Sequence, residues 1–282
     1  MSYTVFTDGA SNLPGKYLQG MDIRALPCSY TMDGREGVYE GDIDAFDAKA
    51  YYDKLRHGSR MKTSLLNSHL FESLFRPELE KGLDVIYVGM SSGISGTIQA
   101  ARIAAEELME DYPERTVRVV DSLGAAFGPG LLACRASQYR SEGKTATEAA
   151  DILDVDVKHL LQYFTVDDLN FLKRTGRVSG ATAAIGTVLS IKPILWGDLT
   201  GHITARAKVR GRKKSLDALA ERMGRVGQGE FRERTALEGS SEMIGLSGDV
   251  NRMAEDISRL IDRTYMASLN ERTAQLAALE AQ

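Results

Sequence analysis

Apolar and polar positions recur along this chain with two different periods, and each switch of period marks a new element. Residues 3–6 form a short β-prone run that stops at Thr7 and Asp8. Turn formers from Gly9 to Pro14 then lead into a helix. Residues 22–30 read as a second strand, and Met32, Asp33 and Gly34 as the turn of a hairpin leading to residues 37–39. Phe46, Tyr51 and Leu55 recur near helical spacing within residues 44–55, and a further helix is expected over 67–81. Residues 84–90 are a near-continuous apolar run, the form a strand takes when a parallel sheet buries both its faces. A Gly/Ser-rich turn, a helix over 97–109 and a β-branched run at 117–120 closed by Asp121 and Ser122 repeat the strand, loop, helix, strand order. One more helix spans 128–142, and Gly143 then stops it before Thr145 caps a helix from Ala146. The first half is therefore a parallel α/β unit.

From about Lys158 the pattern changes. A strand is expected at 161–166, helices at 169–173 and 181–189, and a hairpin at 196–209 turning around Leu199, Thr200 and Gly201. A basic run opens a helix over 215–223, followed by a short strand at 244–246 and a helical tail over 252–282. The fold class predicted is α/β with two domains: a parallel N-terminal domain over 1–157 and a second α/β domain with a mixed sheet over 158–282.

Composition narrows the function classes. With 282 residues, 43% apolar and 26% charged, the chain can bury enough surface to fold without staples. Its net charge of −4 gives no overall attraction to nucleic acid or anionic membranes, and the basic run from Lys208 to Lys214 reads as a solvated strand and helix start. Cys28 and Cys134 lie far apart, without CxxC and without histidines at metal-ligand spacing, so they read as reduced thiols and no metal site is expected. No apolar run approaches the ~20 residues of a membrane span, and the first twenty residues lack a signal-peptide pattern, so stable membrane insertion is not expected and a cytoplasmic location is. Neither GxGxxG after a strand nor a Walker A lysine occurs, so no nucleotide cofactor is expected.

Chemistry concentrates in the loops. Ser91 to Thr97 leaves a buried strand and enters a helix, where free backbone N–H groups and hydroxyls suit an anion. The polar stretches at 7–12, 62–64 and 121–122 also follow or flank strands, and ligands in open α/β sheets collect at the carboxyl ends of the strands. The same serines and threonines read equally as helix caps. Gly89, Met90, Ser91, Ser92 and Gly93 further satisfy the G-x-S-x-G nucleophile elbow. Ser91 would then be a hydrolase nucleophile, with His159 or His202 as base and Asp168 or Asp198 orienting it.

Taken in order, Thr7 to Pro14, Lys62-Thr63-Ser64, Ser91 to Thr97, Asp121 to Gly124, Leu172 to Val178 and Ile191 to Leu195 resemble the DegV family. That resemblance implies a lipid-binding protein, not an enzyme, which buries a long-chain fatty acid and in some bacteria serves as the acyl-binding subunit of a fatty acid kinase. It places the carboxylate on Thr63, Ser64, Ser95, Gly96 and Thr97. It also makes Arg177, or Arg174 as second choice, the arginine facing phosphoryl transfer and the partner kinase. Departures are visible. No histidine follows His202 and no proline follows Pro193, where the family carries a late segment with both. Gly9, Leu66 and Thr175 also replace the family's usual Ser, Pro and Gly. A serine hydrolase, or an interaction module with a vestigial pocket, are the alternative readings.

Overall fold

The computed structural model describes residues 2–170, 172, 176–178 and 191–227. The helix expected at 181–189, the strand at 244–246 and the helical tail lie outside them, as do residues 171 and 173 of the helix expected at 169–173; residues 169, 170 and 172 are helical. The chain divides into two compact units, Met1–Ser215 and Leu216–Gln282, and the site described below lies within the first. Among the described residues, no helix is long and apolar enough to cross a membrane.

A four-stranded parallel sheet forms the centre, in the order β2, β1, β6, β7, from Ile23–Leu26, Tyr3–Asp8, Asp84–Gly89 and Val117–Asp121. Alternation along the two middle strands feeds two cores. Tyr3, Val5, Ile86 and Val88 point to one face, where they pack with residues of α5 (Phe127–Ser141) and α6 (Ala146–Asp156). Phe6, Val85 and Tyr87 point to the other, against α3 (Ser68–Glu80) and α4 (Thr97–Asp111). A strand covered on both faces has little room for polar side chains, which is why residues 84–90 read as an unbroken apolar run.

Local signals set the helix starts. The Asn67 side chain accepts from Leu70 N at 2.9 Å to begin α3, and Thr145 and Glu148 form a reciprocal capping box at α6. Residues 22–30, read as one strand, are two. Pro27 has no N–H for a ladder, and the chain changes sheets across it. Beyond it β3 (Cys28–Met32) pairs antiparallel with β4 (Arg35–Tyr39) and β5 (Met61–Thr63), and a short helix α2 (Ala48–Arg56) lies between β4 and β5 in sequence. Tyr30, opposite Gly37, faces Tyr51 of α2 edge-on at 5.7 Å, so an aromatic cluster joins this sheet to the helix.

The third sheet runs β10, β9, β8, from Ile203–Arg210, Ile191–Gly197 and Tyr163–Phe164, antiparallel throughout its described strands. β8 is shorter than the expected 161–166, because Gln162 is drawn out of the ladder. Its amide accepts from Ala125 N at 2.9 Å and donates to Ala125 O at 2.8 Å. The hairpin expected around Leu199, Thr200 and Gly201 forms, and α7 (Arg212–Gly227) follows it.

Candidate functional site

The loops after β1, β6 and β7 meet at the carboxyl end of the parallel sheet. Ser122 N donates to Gly89 O at 3.2 Å and Ser91 N to Gly124 O at 2.9 Å, tying the second loop to the third. Asp121 accepts from Ser92 N at 3.1 Å, and Asp8 at the end of β1 accepts from Met90 N. Within the loop, Ile94 N and Ser95 N both fold back onto Ser91 O, at 3.1 and 3.0 Å, which aims the chain into α4.

At the start of α4 the N-cap is Gly96, which has no side chain to satisfy the first-turn N–H groups. Thr97 N reaches Ser95 Oγ at a long 3.3 Å, and the Ser95 and Thr97 hydroxyls share one hydrogen bond at 2.9 Å. Two hydroxyls sharing one bond retain one proton that can be directed at an acceptor. Donors therefore converge here from side chains and main chain, with the positive end of a four-turn helix behind them.

Thr63 and Ser64 arrive by a different route. Thr63 ends β5 opposite Tyr30, Ser64 N donates to Ser29 O at 3.0 Å, and both side chains are exposed. Leu65, itself 56% exposed, lies over Gly96, since a Cβ on that glycine would stand 3.6 Å from both Leu65 methyls. The two segments that the family resemblance grouped are thus neighbours at Leu65 and Gly96. Arg177 joins them, its Nε donating to Ile94 O at 3.0 Å. Arg174 lies outside the described residues.

The G-x-S-x-G pattern has a structural explanation at every fixed position. Gly89 leaves room for Tyr87, whose hydroxyl would stand 2.6 Å from a Cβ at that glycine. Ser91 is buried; its Oγ donates to Gly201 O at 2.8 Å and accepts from Gly93 N at 3.0 Å. Gly93 lies flush against the hairpin turn, where a Cβ would meet the Gly201 carbonyl carbon at 2.6 Å. Neither candidate base is engaged with Ser91. His159 Nδ1 is 3.0 Å from Val155 O, and His202 Nδ1 is 2.9 Å from Thr200 Oγ1. Asp198 is spent on the turn, accepting from Thr200 N at 2.9 Å and His202 N at 3.0 Å. A nucleophile must stand open beside its base, and Ser91 instead fastens the loop to the hairpin.

Sequence reading placed Asp8 in a polar loop without giving it a role, and passed over Tyr87. Asp8 is buried, accepts from Tyr87 Oη at 2.6 Å, and has no cationic partner among the described residues. Burial raises its carboxyl above the usual range, against the lowering effect of the two hydrogen bonds, and burial followed by the Asp8 charge pushes the Tyr87 phenol well up. The legible signal was an acid closing a buried strand and a lone tyrosine in the aliphatic run 84–89. Cys28 sits beside the same loop, its thiol raised to about 11 by burial and then by Asp8, which makes it a poor nucleophile.

Comparison with known proteins agrees with this architecture. A family model described as an uncharacterised protein of the DegV family matches residues 2–269. The chain belongs to the DegV family. A DegV domain-containing protein of Clostridium perfringens is 39% identical over 264 residues, covering 93% of this chain and 87% of the relative. Among solved structures, a fatty-acid-binding DegV family protein from Thermus thermophilus superposes with a TM-score of 0.70 at 29% identity, over 81% of this chain and 79% of that one. A stearic-acid-binding protein from Eubacterium ventriosum matches with a TM-score of 0.69 at 26% identity, over 82% and 78%. The parallel sheet and its antiparallel companions are thus the DegV fold.

Proposed function

We propose that this DegV protein binds one long-chain fatty acid, with the carboxylate held at Thr63, Ser64, Ser95, Gly96 and Thr97 and the acyl chain buried. The observation that carries this reading is the start of α4, where a glycine N-cap and a hydroxyl pair with a spare proton leave donors converging beside Leu65. Hydrogen bonds from neutral donors satisfy a desolvated carboxylate without an ion pair, and bonds to an ionised acceptor are among the stronger ones. Affinity then comes from the tail. About fifteen methylenes at ~0.8 kcal/mol each offer on the order of 12 kcal/mol before ordering costs. The fatty acids named for the Thermus and Eubacterium proteins support this ligand class.

The proposal extends to a division of labour, with residues 1–157 supplying the carboxylate loops and residues from 158 onward covering the acyl chain. It extends further to presentation of the bound acid to a fatty acid kinase catalytic subunit, with Arg177, or Arg174, facing the transferred phosphate. The contact of Arg177 with Ile94 O supports the first of these arginines, since a guanidinium that stays charged and presents a planar fork suits a phosphate in transit. The test is mass spectrometry of the denatured recombinant protein together with titration of delipidated protein by oleate. Co-purified acid of C14 to C18 and saturable uptake are expected, and absence of both overturns the reading.

A further inference from the structure

The loop that carries Ser95 to Thr97 does not leave the sheet freely. The ladder between β1 and β6 ends at the pair Thr7 and Val88, where Thr7 Oγ1 also donates to Val88 O at 2.9 Å. One residue further on, the Asp8 side chain takes over from the backbone. One carboxylate oxygen accepts from Tyr87 Oη at 2.6 Å and the other from Met90 N, the first amide beyond the strand. An acid that is 2% exposed and has no cationic partner among the described residues is costly to keep. An apolar residue would pack there without that cost, so the two acceptor positions are what its presence explains. Five residues lie between Met90 and Gly96, and they are folded tightly by the bonds of Ile94 N and Ser95 N to Ser91 O. A shift at Met90 therefore reaches the donors at the start of α4.

We propose that Asp8 is the positioning residue of this loop: by holding Met90 N and Tyr87 Oη it sets where Ser95, Gly96 and Thr97 present their donors to an anionic head group. The head-group part rests on the fatty-acid reading above, whereas the loop part does not. Asparagine can reproduce the geometry without the charge, its carbonyl accepting from Met90 N and its amide donating to the Tyr87 oxygen. Alanine cannot.

Two measurements on full-length protein test this: amide hydrogen exchange at residues 90–97 without lipid, and oleate titration, each for wild type, Asp8→Ala and Asp8→Asn. Asp8→Ala is expected to speed exchange and weaken oleate binding by about ten-fold each, the scale of one lost buried acceptor. Asp8→Asn is expected to stay within about three-fold of wild type in both. Unchanged exchange in Asp8→Ala overturns the proposal, and so does Asp8→Asn losing oleate while its loop stays protected, since charge rather than position would then be at work. Should Asp8→Ala not fold, Asp8→Asn decides alone, with retained protection and binding in support and loss of either against. If wild type takes up no oleate yet Asp8→Ala loosens the loop, the fatty-acid reading fails and the positioning role stands.

Discussion

Two buried acids serve the same β1 strand at its opposite ends, and the protein treats them in opposite ways. Glu78, 1% exposed on α3, meets the start of β1 through Thr4 Oγ1 at 2.8 Å and is neutralised by Arg24 and Lys81, each at 2.8 Å. Burial alone would raise its carboxyl, but the bonds from Lys81, Arg24 and Thr4 outweigh that and hold it down at about 2. Asp8, 2% exposed at the far end, has only neutral donors among the described residues, and burial wins. A cation pair makes a buried carboxylate a fixture, while neutral donors leave it an oriented acceptor. The end of the sheet that carries the candidate site is the end where the acid has no cation beside it among the described residues, in keeping with perturbed groups clustering at functional sites.

Replacing Glu78 by alanine sharpens the contrast most. It strands a buried Thr4 hydroxyl and two cations, and about 3 kcal/mol of stability is expected to go, read from denaturant unfolding. The partners Arg24 and Lys81 are 47% and 60% exposed, so solvent screening keeps the figure at the lower end of the range for buried pairs.

The pH dependence should separate the two acids by sign. Glu78 has a folded pKa of about 2, below its unfolded value, so its contribution is present above ~4.3 and disappears as pH falls from there toward 2. The stability gap between wild type and Glu78→Gln should therefore close over that window, by about 2 kcal/mol. Asp8 is raised, so ionising it opposes folding as pH climbs above its unfolded value of ~3.9. Asp8→Asn should accordingly gain on wild type as pH rises from there. Parallel profiles for the two variants would break the comparison.

A smaller effect is expected at Ser91. Ser91→Ala leaves the Gly201 carbonyl without its donor, a loss of about 1 kcal/mol, and wild type should not be labelled by a serine-reactive fluorophosphonate. The smallest change in stability, under about 1 kcal/mol, belongs to Thr63→Val combined with Ser95→Ala, because Thr63 is exposed and Ser95 only half-buried. That pair should nonetheless weaken oleate retention about ten-fold or more, since bonds to a carboxylate contribute ~1.5–3 kcal/mol each. Unaltered retention would remove these hydroxyls from the site.

Much of this was legible from residue order. The apolar run 84–90, the cap at Asn67, the Thr145 and Glu148 box and the turn at Leu199, Thr200 and Gly201 each express an interaction within a few residues, and each element formed where its signal lay. The division of residues 22–30 was legible too, in Pro27, but only in a reading that gave the missing N–H more weight than the surrounding β-propensity. The order of the polar loops also sufficed to assign the family.

What G-x-S-x-G means here was settled in three dimensions. Gly89, Ser91 and Gly93 are fixed by Tyr87, the Gly201 carbonyl and the hairpin backbone, and Ser91 and Gly201 are 110 residues apart in the chain. The same holds for Leu65 over Gly96, Arg177 on Ile94 O, and Asp8 at Met90 N, 82 residues away. Periodicity and capping act over one or two turns, so a sequence displays them directly. Hydrogen bonds between loops depend on which strands lie side by side, and that is decided only when the sheet assembles.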